Sequence, residues 1–195
     1  MPLITPLPAD ANPEVGELAR FFFETLGFVP NSVLTMQRRP AIAKAFIALN
    51  RAVMDNRGRV TGEQKRLIGL LASHTAGCRY CQAHTALAAT RCGATQARLA
   101  ALWSFRDSAL FSAAEKAAFD YALAAADVPN AVTEEIGAAL RAHWDEGEIV
   151  EITGVVALFG YLNRWNDSMG TAIEAPATAA GQAHVPAWAP GKHRI

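Results

Sequence analysis

TGEQKRLIGLLASHTAGCRYCQAHTALAATRC, residues Thr61 to Cys92, is the stretch whose reading decides the fold. Thr61 followed by Gln64 has capping-box spacing, which opens a helix. Leu67, Ile68, Leu70, Leu71 and Ala72 then carry an apolar face to about Ala76. Gly77 breaks or caps that helix just before Cys78. A second helix is predicted from about Cys78 to Cys92, where Gly93 stops it.

Working outward, the same helical period recurs. Upstream, Asp55-Asn56-Arg57-Gly58 reads as a turn, and Ala41 to Met54 repeats apolar residues at Ile42, Ala45, Phe46, Leu49 and Val53. A short helix opening at Asn31 or Ser32 stops before Pro40, and Pro13 to Leu26 carries a stripe at Leu18, Phe21, Phe22 and Leu26 that Gly27 ends. Downstream, Thr95 caps Gln96 to Trp103, Ser112 caps Ala113 to Asp127, and Thr133 caps Glu134 to His143. Glu148 to about Met169 is a long, mostly apolar helix. No stretch alternates as a strand does, so the fold is predicted to be all-α, one domain over residues 1–195 with its core at about 14–170. Residues 1 to 13, with four prolines, and the Ala-, Pro- and Gly-rich chain from Glu174 onward read as extended arms, either wrapped on a neighbouring subunit or loose.

Composition narrows the function classes. Of 195 residues, 51% are hydrophobic and 18% charged, enough for a sizeable core. Eighteen basic side chains balance eighteen acidic ones, which gives no electrostatic reason to expect nucleic acid or an anionic membrane as partner. No stretch has the layout of a signal peptide, and no apolar run reaches the roughly 18 residues that span a bilayer, so the expected compartment is the cytosol. Three cysteines, Cys78, Cys81 and Cys92, make a poor disulfide framework. A structural zinc usually takes four ligands; Cys78, Cys81 and His84 make three, and His143, His184 and His193 have no spacing that pairs them as ligands. No cofactor or metal is expected.

Chemistry concentrates in Ala76-Gly77-Cys78-Arg79-Tyr80-Cys81-Gln82-Ala83-His84-Thr85. Two cysteines separated by two residues can close a disulfide across one helical turn. A helix N-terminus favours a thiolate at Cys78. His84 lies three residues after Cys81, on the same helix face, and can take a thiol proton directly or through water. Thiolate attack on a peroxide gives a sulfenic acid, which the second cysteine condenses to a disulfide; a thiol or disulfide reductant then restores the pair. His74, four residues before Cys78, is a second candidate base, and Tyr80 can present its hydroxyl to the pocket; packing roles are the alternative for both. Glu148 and Glu151 lie one turn apart, with capping favoured over a catalytic pair. A dithiol–disulfide oxidoreductase and a non-enzymatic redox or stress oligomer are competing readings of the same cysteines.

The stretch Leu67 to Ala86, with Ser73, Gly77-Cys78-Arg79-Tyr80-Cys81 and His84, resembles the core of the carboxymuconolactone decarboxylase superfamily, in its alkylhydroperoxidase D-like, peroxidase-related branch. Val29-Pro30-Asn31-Ser32, Asn163-Arg164-Trp165-Asn166-Asp167 and Trp188-Ala189-Pro190-Gly191-Lys192-His193 are similar to the same branch. The resemblance implies an alkylhydroperoxidase D-like helical bundle, a homo-oligomer, and reduction of hydrogen peroxide or organic hydroperoxides by the cysteine pair. It implies that Cys81 meets the peroxide and Cys78 resolves it, and the spacing of His84 agrees. The family's relay histidine falls where this chain has Thr85, one residue after His84. Its relay glutamate falls at Arg66, which leaves Glu63, one turn earlier, as a substitute.

Overall fold

The computed structural model describes residues 2–55 and 57–194; Met1, Asn56 of the expected turn and Ile195 lie outside the described residues. Among those residues every regular element is helical: α1 (Pro13–Ala19), α2 (Phe21–Leu26), α3 (Asn31–Met36), α4 (Pro40–Val53), α5 (Gly62–Thr75), α6 (Arg79–Arg91), α7 (Gln96–Ala101), α8 (Ala113–Ala126), α9 (Glu134–Arg141), α10 (Glu146–Met169) and α11 (Ala175–His184), with 3₁₀ turns at Leu102–Ser104 and Gly191–His193.

The antiparallel pair α5 and α6 forms the centre, with α8, α10 and α11 packed around it. The Thr61 hydroxyl accepts the Gln64 N–H and opens α5 as its sequence predicts. Gly77, at φ +73°, reverses the chain between the two helices in a conformation that L side chains rarely adopt. The centre is buried almost throughout, including Leu67, Ile68, Leu70, Ala83 and Ala86. At Gly69 the ring of Phe159 from α10 sits where a Cβ would be, so the missing side chain is what lets α10 lie close. Lys65 is buried as well. Its ammonium donates to the Val53 and Asp55 carbonyls and meets Glu151 at 3.1 Å, tying the end of α4 to α10.

Capping boxes open α8, at Ser112 and Glu115, and α10, at Asp145 and Glu148. The long helix therefore starts before Glu148, which is a capping residue paired with Arg59 rather than the helix start. The stripe from Pro13 to Leu26 is two helices, broken at Arg20.

The two arms are folded onto their own chain. The Leu3 N–H donates to the Met169 carbonyl, and Gln37 holds the Pro8 carbonyl. The C-terminal stretch, expected to be extended, forms α11 and packs on α6. Its small residues carry no long apolar stripe, which hides the helix from a periodicity argument, but they allow close approach: the Trp188 indole lies against Gly181. The Trp188 indole N–H donates to the Arg79 carbonyl at 3.1 Å, and that of Trp103 to the His184 carbonyl at 3.0 Å. Among the described residues, no helix is long and apolar enough to cross a membrane.

Candidate active site

Cys78 is the N-cap of α6: its backbone is extended and its Sγ accepts the Cys81 N–H at 3.4 Å. Side-chain oxygens usually play that part. A cap side chain folds back over the first turn, so the Cys78 sulfur lies beside the Cys81 thiol one turn along. Both are free thiols. They differ in what they face. Cys78 is wholly buried and lies outside the cavity, whereas Cys81, 2% exposed, opens into a cavity of about 80 Å³ bounded by α2, α3, α4, α5, α6 and α10. Phe22, Leu26, Phe46, Phe159 and Leu162 give the cavity an apolar wall; Tyr80, His84 and Asn166 are among its polar lining. The volume is several times what one water needs and suits a small organic ligand.

Burial pushes the Cys81 thiol well above its ordinary range, and the neighbouring Cys78 adds to the effect. Asn166, from α10, opposes it by donating its amide to Cys81 Sγ at 3.5 Å while also holding the Leu162 carbonyl at 3.0 Å. Cys81 therefore rests as a thiol and needs a base to become a nucleophile.

His84 lines the same cavity, one turn along α6. Its ring stacks on Tyr80, centroids 4.0 Å apart, with the edge of Phe28 at 5.9 Å. Nδ1 lies 2.9 Å from the Tyr80 carbonyl, and Nε2 lies 2.9 Å from Glu174 Oε2. The second approach is an ion-pair contact whose alignment falls short of a hydrogen bond. Both ring nitrogens thus face oxygen acceptors, an arrangement that accommodates two N–H protons.

Glu174 is the N-cap residue of α11. Its Oε1 accepts the Asn31 N–H and, at 3.2 Å, the Tyr80 hydroxyl, which itself accepts the Ser32 N–H at 3.2 Å. Burial pushes the carboxyl upward, but the His84 charge and contact and the Asn31 N–H outweigh it, so Glu174 sits below the ordinary carboxylate range. Burial, then the Glu174 charge, raises Tyr80 well above its usual range and keeps it a donor. The N-terminal end of α3 and the C-terminal segment thereby clamp one carboxylate behind His84.

Of the residues singled out from sequence, Cys78, Cys81, Tyr80 and His84 come together. Glu63 does not join them: it pairs with Arg98 at 2.6 Å, beside Glu115 on the same guanidinium. His74 lies exposed against Trp103, ring centroids 4.9 Å apart; burial and Arg79 hold it below the ordinary imidazole range. Arg66, at the position the resemblance gives to a glutamate, lines the cavity and donates to the Gly62 carbonyl at 3.2 Å. Among the described residues, no group of three or more His, Cys, Asp and Glu side chains could hold a metal ion. Glu174 escaped the sequence reading because it is 94 residues from Tyr80. The signal present was local: Pro176 two residues on, at a position where proline starts helices. Asn166 was visible only as part of a polar cluster.

The Carboxymuconolactone decarboxylase family model matches residues 40–124. The debrominase Bmp8 is 32% identical, covering 93% of this chain and 97% of that one, with a TM-score of 0.85. A cysteine-to-alanine variant of Bmp8, in complex with 2,3,4-tribromopyrrole, is likewise 32% identical, covering 91% of this chain and 95% of its own, at a TM-score of 0.84. An alkylhydroperoxidase AhpD core protein, an uncharacterized peroxidase-related protein from Ralstonia eutropha JMP134, has the same fold: TM-score 0.75 and 24% identity over 91% of this chain and 95% of that one. The uncharacterized protein YnjA of Escherichia coli (strain K12) is 30% identical over 92 residues, 47% of this chain and half of its own length.

Proposed function

Since the chain belongs to the carboxymuconolactone decarboxylase family and has the alkylhydroperoxidase D-like fold, we propose that it is a thiol-dependent peroxidase reducing small organic hydroperoxides through Cys81 and Cys78. The observation that carries this reading is that Cys81 alone of the pair faces the cavity, with an amide donor on its sulfur and His84, backed by Glu174, along the same wall.

His84 takes the Cys81 proton, and the imidazolium is held by Glu174 on one side and the Tyr80 carbonyl on the other. The thiolate attacks the terminal peroxide oxygen. The O–O bond breaks, the proton held on His84 goes to the departing alkoxide, and Cys81 becomes a sulfenic acid. Cys78 then attacks that sulfur, expelling water and closing the disulfide. A thiol reductant completes the cycle, for which a reducing compartment such as the cytosol is suited. The apolar wall favours an organic hydroperoxide over hydrogen peroxide. Assembly of like chains, as the resemblance implies, is part of the same proposal and is tested by sedimentation.

One observation favours a second substrate: the 32% identity to a debrominase over nearly the whole chain. The same dithiol can supply the two electrons of reductive debromination, in which the ring gains a proton, bromide leaves and the pair becomes a disulfide. Reduced protein is therefore offered cumene hydroperoxide and, separately, 2,3,4-tribromopyrrole, with a thiol reductant. The expected result is catalytic loss of the hydroperoxide. Cys81→Ser abolishes it, and Cys78→Ser permits a single stoichiometric reaction without turnover. Debromination without peroxide loss moves the assignment to the second substrate; unchanged turnover in Cys81→Ser overturns both.

A further inference from the structure

Taking the cavity as the substrate site, we infer that its substrate is a small acid: an apolar body with the reducible atom at one end and a carboxylate, held by Arg66, at the other. Arg66 is the one permanently charged side chain among the described residues that line the cavity, and it is only 4% exposed. The wall around it, with Phe22, Phe46 and Phe159, is apolar.

The position of Arg66 along the cavity follows from the hairpin. Helices α5 and α6 run antiparallel about Gly77, so Arg66 lies opposite the later turns of α6. Its electrostatic contact with Cys92, at the end of that helix, agrees. Cys81 sits in the first turn of α6, and Ala88 marks the cavity's reach along the same helix. At about 1.5 Å per residue the two ends are about 10 Å apart. That span matches a phenyl ring carrying a short carboxylate chain, and it exceeds the length of the smallest peroxides. Guanidinium and carboxylate are matched in geometry, so a Lys replacement would keep the charge and lose the fork. Family resemblance places a glutamate at this position. With Glu174 serving His84 from another helix, the sign of the charge at position 66 is free to select the substrate.

The test uses binding, so it is independent of turnover. Cys81→Ser protein is titrated calorimetrically with 4-phenylbutanoate and with its neutral amide, alone and combined with Arg66→Lys and Arg66→Met. The expected result is at least about tenfold tighter binding of the acid than of the amide, reduced by Arg66→Lys and lost in Arg66→Met. If Arg66→Met fails to fold, the drop between arginine and lysine carries the same comparison. Equal affinity for acid and amide, or a preference that survives loss of the guanidinium, overturns the inference. A protein that binds the acid yet reduces neither hydroperoxide nor bromopyrrole would leave this inference standing and remove the reading of the reaction.

Discussion

Replacing Glu174 by glutamine separates the charge of this carboxylate from its hydrogen bonds. The amide oxygen can still accept the Asn31 N–H and the Tyr80 hydroxyl, as Glu174 Oε1 does. The amide nitrogen then meets His84 Nε2 where a carboxylate oxygen lay at 2.9 Å. The amide N–H can then donate to Nε2, and a proton that His84 takes up has no oxygen acceptor on that side; only the Nδ1 side keeps one, the Tyr80 carbonyl. A charge-assisted contact becomes a neutral one, a loss of about 1–2 kcal/mol. For a chain of this size that lowers Tm by about 2–8 °C. Removing a positioned acid–base group lowers kcat by about 100-fold or more, and KM should change little because Glu174 is not part of the cavity wall. Glu174→Ala should cost more stability, about 3–6 kcal/mol, because the Asn31 N–H and the Tyr80 hydroxyl lose their acceptor inside the protein. The assay pairs hydroperoxide turnover under thiol recycling with thermal unfolding of both variants. A glutamine variant with the wild-type rate would refute the argument that Glu174 supports His84.

Other consequences follow from neighbouring contacts. Asn166→Ala removes the amide donor from Cys81 Sγ, so the thiol pKa rises further and alkylation by iodoacetamide at pH 8 slows by about fivefold or more, with Cys92 as an internal reference in peptide mass spectra. Because the Glu174 pKa is depressed in the folded protein, its contribution to stability is complete above the unfolded value of about 4.3 and is lost as pH falls through the lower folded value. Denaturant titrations between pH 6 and about pH 3 should therefore show a shallower acid loss in Glu174→Gln than in the wild type. Gly69→Ala places a Cβ against the Phe159 ring, 2.5 Å from its nearest atom, and should cost about 1–3 kcal/mol, lowering Tm by about 3–10 °C with the site residues unchanged.

What the sequence made legible followed the range of each signal. Helices such as α5, α6 and α8 announce themselves by caps and periodic apolar residues within a dozen positions, and their limits were readable nearly to the residue. The cysteine pair and His84 were readable because all three sit on one turn and a half of one helix. Three things were not. The Arg20 break within Pro13 to Leu26 leaves the apolar stripe intact. Helix α11 is mostly alanine and other small residues; the Trp103 indole holds its last carbonyl, and Trp188, just beyond it, ties the segment to the Arg79 carbonyl of α6, which no local pattern encodes. The carboxylate behind His84 comes from that same helix start, so a search upstream of the cysteines met Glu63, whose partner is Arg98. The contact between His84 and Glu174 is a property of packing between distant segments, and only the folded chain displays it.

The central claim is that the cavity-facing Cys81 reacts and Cys78 resolves it. Reduced protein mixed with one equivalent of cumene hydroperoxide, quenched by alkylation and mapped by peptide mass spectrometry, tests this most directly. The account predicts one equivalent of alcohol, a Cys78–Cys81 disulfide with Cys92 still alkylated, and a sulfenic acid confined to Cys81 when Cys78 is serine. Peroxide reduced with both thiols still free, or a sulfenic acid formed on Cys78 when Cys81 is serine, would contradict it.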